Sequence, residues 1–185
     1  MQYYFMSVYW WSSVIAPDGI TVCFILGDGA VVDDASIQRT KGWKMDQQLL
    51  RFVTKDNIQV EELPWGPHDW LCRPGMVEAE QLLLVRVHMP PGKAHQFHHH
   101  PALEEIIYVL EGKAEQWVEQ DSRILEAGDV AHIPIGVVHG TYNPFETTLR
   151  FLAILGPAKF AGPALVDVCT EEPWCKLKEP VIYKD

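Results

Sequence analysis

From residue 51 to residue 157 the chain is cut into short apolar or alternating runs, separated by Gly, Pro, Asn and Asp. Runs this short suit strands, while a helix of several turns needs a longer uninterrupted pattern. Segments 51–54, 58–63, 81–88 (QLLLVRVH), 105–110, 114–119, 122–127, 130–133, 140–143 and 148–155 read as strands. The stretch 64–70 (PWGPHDW) reads as a loop, and Arg73, Pro74 and Gly75 as a turn. Many short strands with regular turn signals predict an all-β sandwich or barrel. A chain of 185 residues holds one such domain with some decoration. Residues 1–50 read as an N-terminal extension, with a hairpin signal at Gly27, Asp28 and Gly29. Residues 51–157 read as the β-domain and 158–185 as an irregular tail rich in proline.

Histidine is distributed unevenly. All eight histidines fall between His68 and His139, and five lie between His88 and His100. Side chains two apart on a strand share a face, so His98 and His100 point one way and His99 the other. Pro101 stops that strand, and the turn after it returns Glu105 toward the two imidazoles. His139, after Pro134 and Gly136, supplies a fourth donor from a distant strand. Three imidazoles and a carboxylate suit Fe(II), Mn(II), Ni(II), Co(II) or Zn(II) better than calcium or a copper–thiolate centre. Four protein donors leave a coordination position open, as a catalytic ion needs. The same strand logic places Gln116, Thr141 and Phe151 as pocket-lining residues. Arg86 and His88 point outward, opposite Leu83, Val85 and Val87. His95 and His99 read as ordinary loop and strand-exterior residues, with support of the ligands from outside or proton transfer as the alternative, and His132 as structural.

Two motifs sharpen this reading. The first, G-x5-H-x-H-x4-E-x6-G, is met by Gly92, His98, His100, Glu105 and Gly112. The second, G-x5-P-x-G-x2-H-x3-N, is met by Gly128, Pro134, Gly136, His139 and Asn143. Together they resemble the signature of the cupin superfamily, over about residues 55–157. The six-residue count to Gly112 selects Glu105 over its solvated neighbour Glu104. The resemblance implies a single antiparallel jelly-roll β-barrel, with His98, His100, Glu105 and His139 holding one divalent transition-metal ion, Fe(II) favoured. It also implies a homodimer. Two functions follow. One is a dioxygenase, isomerase or lyase acting on a small oxygen-bearing substrate such as a diketone, a phenolic acid, a sugar or an amino-acid derivative, with Glu105 also available as a base. The other is a non-catalytic binding or sensing module.

Composition narrows the partners. A formal charge of −10 disfavours nucleic acid and anionic membranes, both of which demand a basic surface. The N-terminal stretch MQYYFMSVYWWSSVIAP has no positive start and no small-residue cleavage site, so it does not read as a signal peptide. Cys23, Cys72, Cys169 and Cys175 form no C-x-x-C pair and read as free thiols outside the metal site, which predicts a cytoplasmic protein.

Overall fold

The computed structural model describes residues 13–15, 21–23 and 49–183. The chain divides into two units, Met1–Met45 and Asp46–Asp185. In the first unit, β1 (Ser13–Ile15) pairs antiparallel with β2 (Thr21–Cys23). The hairpin expected around Gly27, Asp28 and Gly29 lies outside the described residues.

The second unit carries β3 (Gln59–Leu63), β4 (Gly66–Cys72), β5 (Leu83–Met89), β6 (Ala94–His99) and β7 (Glu104–Glu111). β8 (Lys113–Val118), β9 (Asp121–Glu126), β10 (Val130–Ile133), β11 (His139–Tyr142), β12 (Leu149–Gly156) and β13 (Val166–Asp167) follow. A short helix, α1 (Trp174–Leu177), lies in the tail. Two expectations shift locally. Segment 51–54 bends rather than pairing, and the presumed loop at 64–70 is largely strand β4. Its Pro67 sits near the start of the strand, where a missing backbone N–H is tolerated.

These strands build two antiparallel sheets. One is six-stranded, in the order β10-β7-β12-β5-β4-β3, and the other five-stranded, β13-β6-β11-β8-β9. The single closed jelly-roll barrel expected from the resemblance is therefore corrected to two separate sheets. Among the described residues no ladder joins one sheet to the other. The physical reason lies where the chain changes sheet. The passage from β6 to β7 runs through Pro101, and that from β9 to β10 through Gly128 at φ 98°. Neither turn continues the ladder of backbone hydrogen bonds.

The core sits between the sheets. Val85, Val87, Met89, Ile107, Val109, Leu149, Phe151 and Ala153 point inward from the six-stranded sheet and pack with Ala114, Val118 and Leu125 of the other. Burying each large aliphatic or aromatic side chain contributes about 1.5–3 kcal/mol. Period-2 alternation produces this face directly, since β7 reads exposed-buried-exposed along its length. A second cluster (Ala94, Phe97, Tyr142, Val168 and Cys169) lies on the other face of the five-stranded sheet. There it is packed by Trp117, Trp174 and Leu177, so the tail covers that face.

Gly112 closes the tight turn from β7 to β8 at φ 78°, and an added Cβ would lie 2.7 Å from the Thr148 carbonyl oxygen. Left-handed backbone and a backbone clash act together here. Gly112→Ala is expected to lower stability by about 1–3 kcal/mol, read as an earlier midpoint in urea denaturation. An unchanged midpoint would show that the turn relaxes freely.

Candidate metal centre

β6, the residue following it, β7 and β11 bring four side chains to one point. The donor atoms of His98, His100, Glu105 and His139 all lie within 4.8 Å of one another, and all four residues are buried. β6 and β11 are paired with His98 opposite His139. β7 belongs to the facing sheet and presents Glu105 from its inward side, while Glu104 beside it is exposed. The ring centroids of His98 and His139 are 4.2 Å apart. Those of His98 and His100 are separated by 5.0 Å.

The outer edge of each ring is held by the backbone. His98 Nδ1 lies 2.6 Å from the carbonyl oxygen of Gln96, His139 Nδ1 3.0 Å from that of Val137, and His100 Nδ1 2.6 Å from that of Ala164. A carbonyl only accepts, so each Nδ1 carries the proton and donates. The three Nε2 atoms are thereby left as lone-pair donors facing inward, the tautomer a metal-bound imidazole requires.

Inside, these groups have no other task. His98 Nε2, His139 Nε2 and Glu105 Oε2 are buried without a hydrogen-bond partner. His139 Nε2 is 2.8 Å and His100 Nε2 3.2 Å from Glu105 Oε2, yet the aligned hydrogen bond from His139 is missing. Buried polar atoms left unpaired are costly, so an orphaned set converging on one point fits a cation.

Electrostatics follow from the same crowding. Burial, reinforced by the neighbouring His95, His139 and His100, holds the His98 imidazole well below its ordinary range and therefore neutral. Burial alone would raise the Glu105 carboxyl. Contacts with His100 and His139 outweigh it and hold the group far below the usual carboxylate range. The His100 imidazole is lowered by burial, but the Glu105 contact dominates and raises it overall.

The other residues singled out by the sequence fall as follows. Gln116 and Thr141 are buried on the inward face, where Thr141 Oγ1 donates to Gln116 Oε1 at 2.7 Å. Gln116 also lines a cavity of about 210 Å³ with Val118, Asp121, Arg123, Leu125, Val130 and Ala131. Phe151 lies in the core between the sheets. Asn143 is fully buried, its Nδ2 donating to the carbonyls of Met89 and Thr147 and its Oδ1 accepting from Phe145 N, so it fixes the turn after β11. Arg86 and His88 both point away from the core onto Asp69. His132 is exposed beside Glu104. Cys72, Cys169 and Cys175 are free, and burial pushes the Cys169 thiol up to about 12, so it is no thiolate donor.

His95 is the exception to the expected pattern. A bulge between β6 and β11 sets Thr141 opposite His95 while His139 faces His98. Residues two apart on β11 thus match residues three apart on β6, which brings His95 to the same face as His98. Its ring stacks on His98 at 3.8 Å and on Trp65 at 4.5 Å between centroids. One sequence signal marked the irregularity. Gly140 stands inside a strand, where a Cβ would come within 3.2 Å of Phe97 N, and a lone strand glycine often marks a bulge.

Residues 85–155 match the family model described as a cupin domain. The polyketide synthase CurC of Streptomyces cyaneus is 30% identical over 129 residues, covering 70% of this chain and 83% of that relative. The chain belongs to the cupin superfamily. Its buried cluster of three histidines and one glutamate is of the kind that mononuclear divalent-metal cupin enzymes use on small metabolites. Among solved cupin-like structures, the polyketide cyclase RemF from Streptomyces resistomycificus superposes with a TM-score of 0.57 at 24% identity, covering 71% of this chain and 95% of that one. A predicted oxalate decarboxylase from Thermotoga maritima gives a TM-score of 0.50 at 26% identity, covering 56% of this cupin and 96% of that chain. Among the described residues no helix is long and apolar enough to cross a membrane.

Proposed function

We propose that this cupin is a mononuclear metal enzyme that acts on a small polyketide-type substrate bearing a 1,3-dicarbonyl, with Fe(II) as the favoured ion and Mn, Ni, Co or Zn as alternatives. His98, His100, His139 and Glu105 are the proposed ligands, within a functional domain spanning 51–157. One observation carries this reading: three rings pinned at Nδ1 by backbone carbonyls and one buried carboxylate bring four donor atoms within 4.8 Å of one another. When bound, such an ion supplies Lewis acidity to a substrate oxygen and, if it is iron, oxygen chemistry. The similarity to a polyketide synthase over 83% of its length supports the substrate class.

The chain's own residues supply the rest. The backbone carbonyls keep the imidazoles oriented, so little reorganisation accompanies binding. Glu105 brings the negative charge that offsets part of a divalent cation. Its lowered pKa makes Oε2 a weak proton acceptor, which favours a ligand role over that of a general base. Gln116 and Thr141 satisfy one another and form a fixed polar pair on the inward face. Phe151 is proposed to seal the pocket floor from the core side.

A homodimer is proposed on the outward face of the six-stranded sheet, where Ile106, Tyr108, Leu110 and Val130 are all exposed. The three free thiols support residence in the cytoplasm. The charge of −10 supports a small molecule, rather than nucleic acid, as the partner.

Metal analysis of protein purified without chelators tests the centre. About one first-row ion per chain is expected, and oxygen uptake on adding a 1,3-diketone if that ion is iron. Zinc, nickel or manganese instead would move isomerase or lyase chemistry ahead. No bound metal even after reconstitution would leave the binding-module function in its place.

A further inference from the structure

Apart from the inward-facing donor atoms themselves, the polar groups around the proposed centre are tied down with one exception among the described residues. His98, His100 and His139 use Nδ1 on backbone carbonyls, and Thr141 and Gln116 use their oxygens on each other. Gln116 Nε2 donates to the Trp117 carbonyl. His68 is engaged on both ring nitrogens, with the Gly66 carbonyl at Nδ1 and the Trp65 indole N–H at Nε2. His95 alone among these groups has no hydrogen bond to any described residue.

Its surroundings determine which part of it is free. The Trp65 indole lies over the ring at an interplanar angle of 8°, and the His98 imidazole lies against it at 25°. Both faces of an aromatic ring between two stacked partners are covered, so only its edge remains, and the edge of an imidazole carries both nitrogens. The residue is partly rather than fully buried. Neither nitrogen is sealed off in the manner of His98 Nε2 and His139 Nε2. The stack also fixes the ring before any ligand arrives, since Trp65 is itself held by its hydrogen bond to His68 at 3.2 Å. A rigid, unpaired polar edge adjoining a metal ligand is a ready-made recognition element.

We infer that His95 is a specificity-determining residue, whose ring edge hydrogen-bonds an oxygen of a small chelating substrate bound beside the His98, His100, Glu105 and His139 centre. The inference rests on the proposed metal-enzyme reading. A substrate oxygen facing His95 is held by a hydrogen bond, and an analogue with a methyl group in that place leaves the imidazole unpaired and is rejected. The Trp65–His68 pair positions the ring and does not itself touch the ligand.

Calorimetric titration of the zinc-loaded protein with pentane-2,4-dione and, separately, with acetohydroxamate tests this, with metal content and melting temperature recorded for each variant. His95→Phe preserves the stack and removes both nitrogens. The expected result is one zinc per chain, an unchanged melting temperature and binding of both probes weakened about five- to tenfold, the value of one hydrogen bond. His95→Gln, which restores a polar tip, is expected to bind the probes better than the phenylalanine variant. Wild-type-like affinity in His95→Phe would overturn the inference. So would loss of the zinc from that variant, which would make His95 a support for His98 only, and so would weaker probe binding by His95→Gln than by His95→Phe. If the wild type takes the hydroxamate but not the dione, the dicarbonyl substrate class fails while the hydroxamate series still decides the part played by His95. If the wild type holds zinc yet binds neither probe, the edge of His95 does not face a ligand beside the metal, and the inference fails with the centre intact.

Discussion

Replacing His98 and His100 together by alanine is expected to reduce metal content from about one ion per chain to background while both sheets stay folded. The two positions differ from the rest of the core in what they contribute. Neither ring belongs to the apolar cluster between the sheets, whose members are aliphatic and aromatic side chains of β5, β7, β8, β10 and β12 together with Leu103. Removing two imidazoles also removes the orphaned Nε2 of His98, a group whose burial is unfavourable in the metal-free protein. Stability of the metal-free form should fall modestly, because the buried Glu105 carboxylate loses its His100 partner and two rings leave space behind, while metal affinity falls by more than the roughly 10–100-fold that losing an outer partner of a metal ligand costs. Plasma mass spectrometry for metal and far-ultraviolet circular dichroism for fold separate the two effects. A double variant that keeps stoichiometric metal would show the ion to be held elsewhere.

The second large effect concerns Glu105 and acid. In the metal-free protein its carboxyl is held far below the usual range, burial being outweighed by His100 and His139. A carboxyl whose pKa is lowered on folding stabilises the folded state at pH above its unfolded pKa. That stabilisation is lost as pH falls from the ordinary glutamate value of about 4.3 toward the depressed one. Glu105→Gln removes the titrating group. The metal-free variant should lose less melting temperature between neutral pH and pH 3 than the metal-free wild type does. At neutral pH it should be the less stable of the two, because His100 and His139 lose their anionic partner. The same variant should bind metal more weakly, since an amide oxygen is a poorer donor to a divalent cation than a carboxylate. Parallel acid slopes for the two proteins would show that other carboxylates govern acid unfolding.

What the sequence made legible was the part governed by ligand chemistry and by turns. His98, His100, Glu105 and His139 stand at fixed distances from glycines and a proline, so their spacing alone groups them, and the fold brings them to one point. The outward direction of Arg86 and His88 followed from alternation with Val85 and Val87, and Asp69 is the partner that waits for them. His95 escaped because strict alternation has no term for a bulge. One extra residue near Gln96 and Phe97 turned a position that reads as loop into a neighbour of His98. β4 escaped because Gly66 and Pro67 read as loop residues, although its pairing with β5 supplies a ladder that local propensity does not encode. Closure failed for a similar reason. Whether the outermost strands of two sheets meet depends on long-range geometry, which no short motif records.

The carbonyl of Ala164 gives the tail a meaning beyond covering a sheet face. β13 runs alongside β6, and the segment just before it delivers that oxygen to His100 Nδ1. A chain trimmed to the family-matched span of 85–155 would keep every donor atom of the centre. It would lose the group that decides which nitrogen of His100 carries the proton. The ring would then be free to rotate and to present an N–H where a lone pair is needed. In this cupin the smallest piece that contains the metal ligands is thus shorter than the smallest piece that arms them.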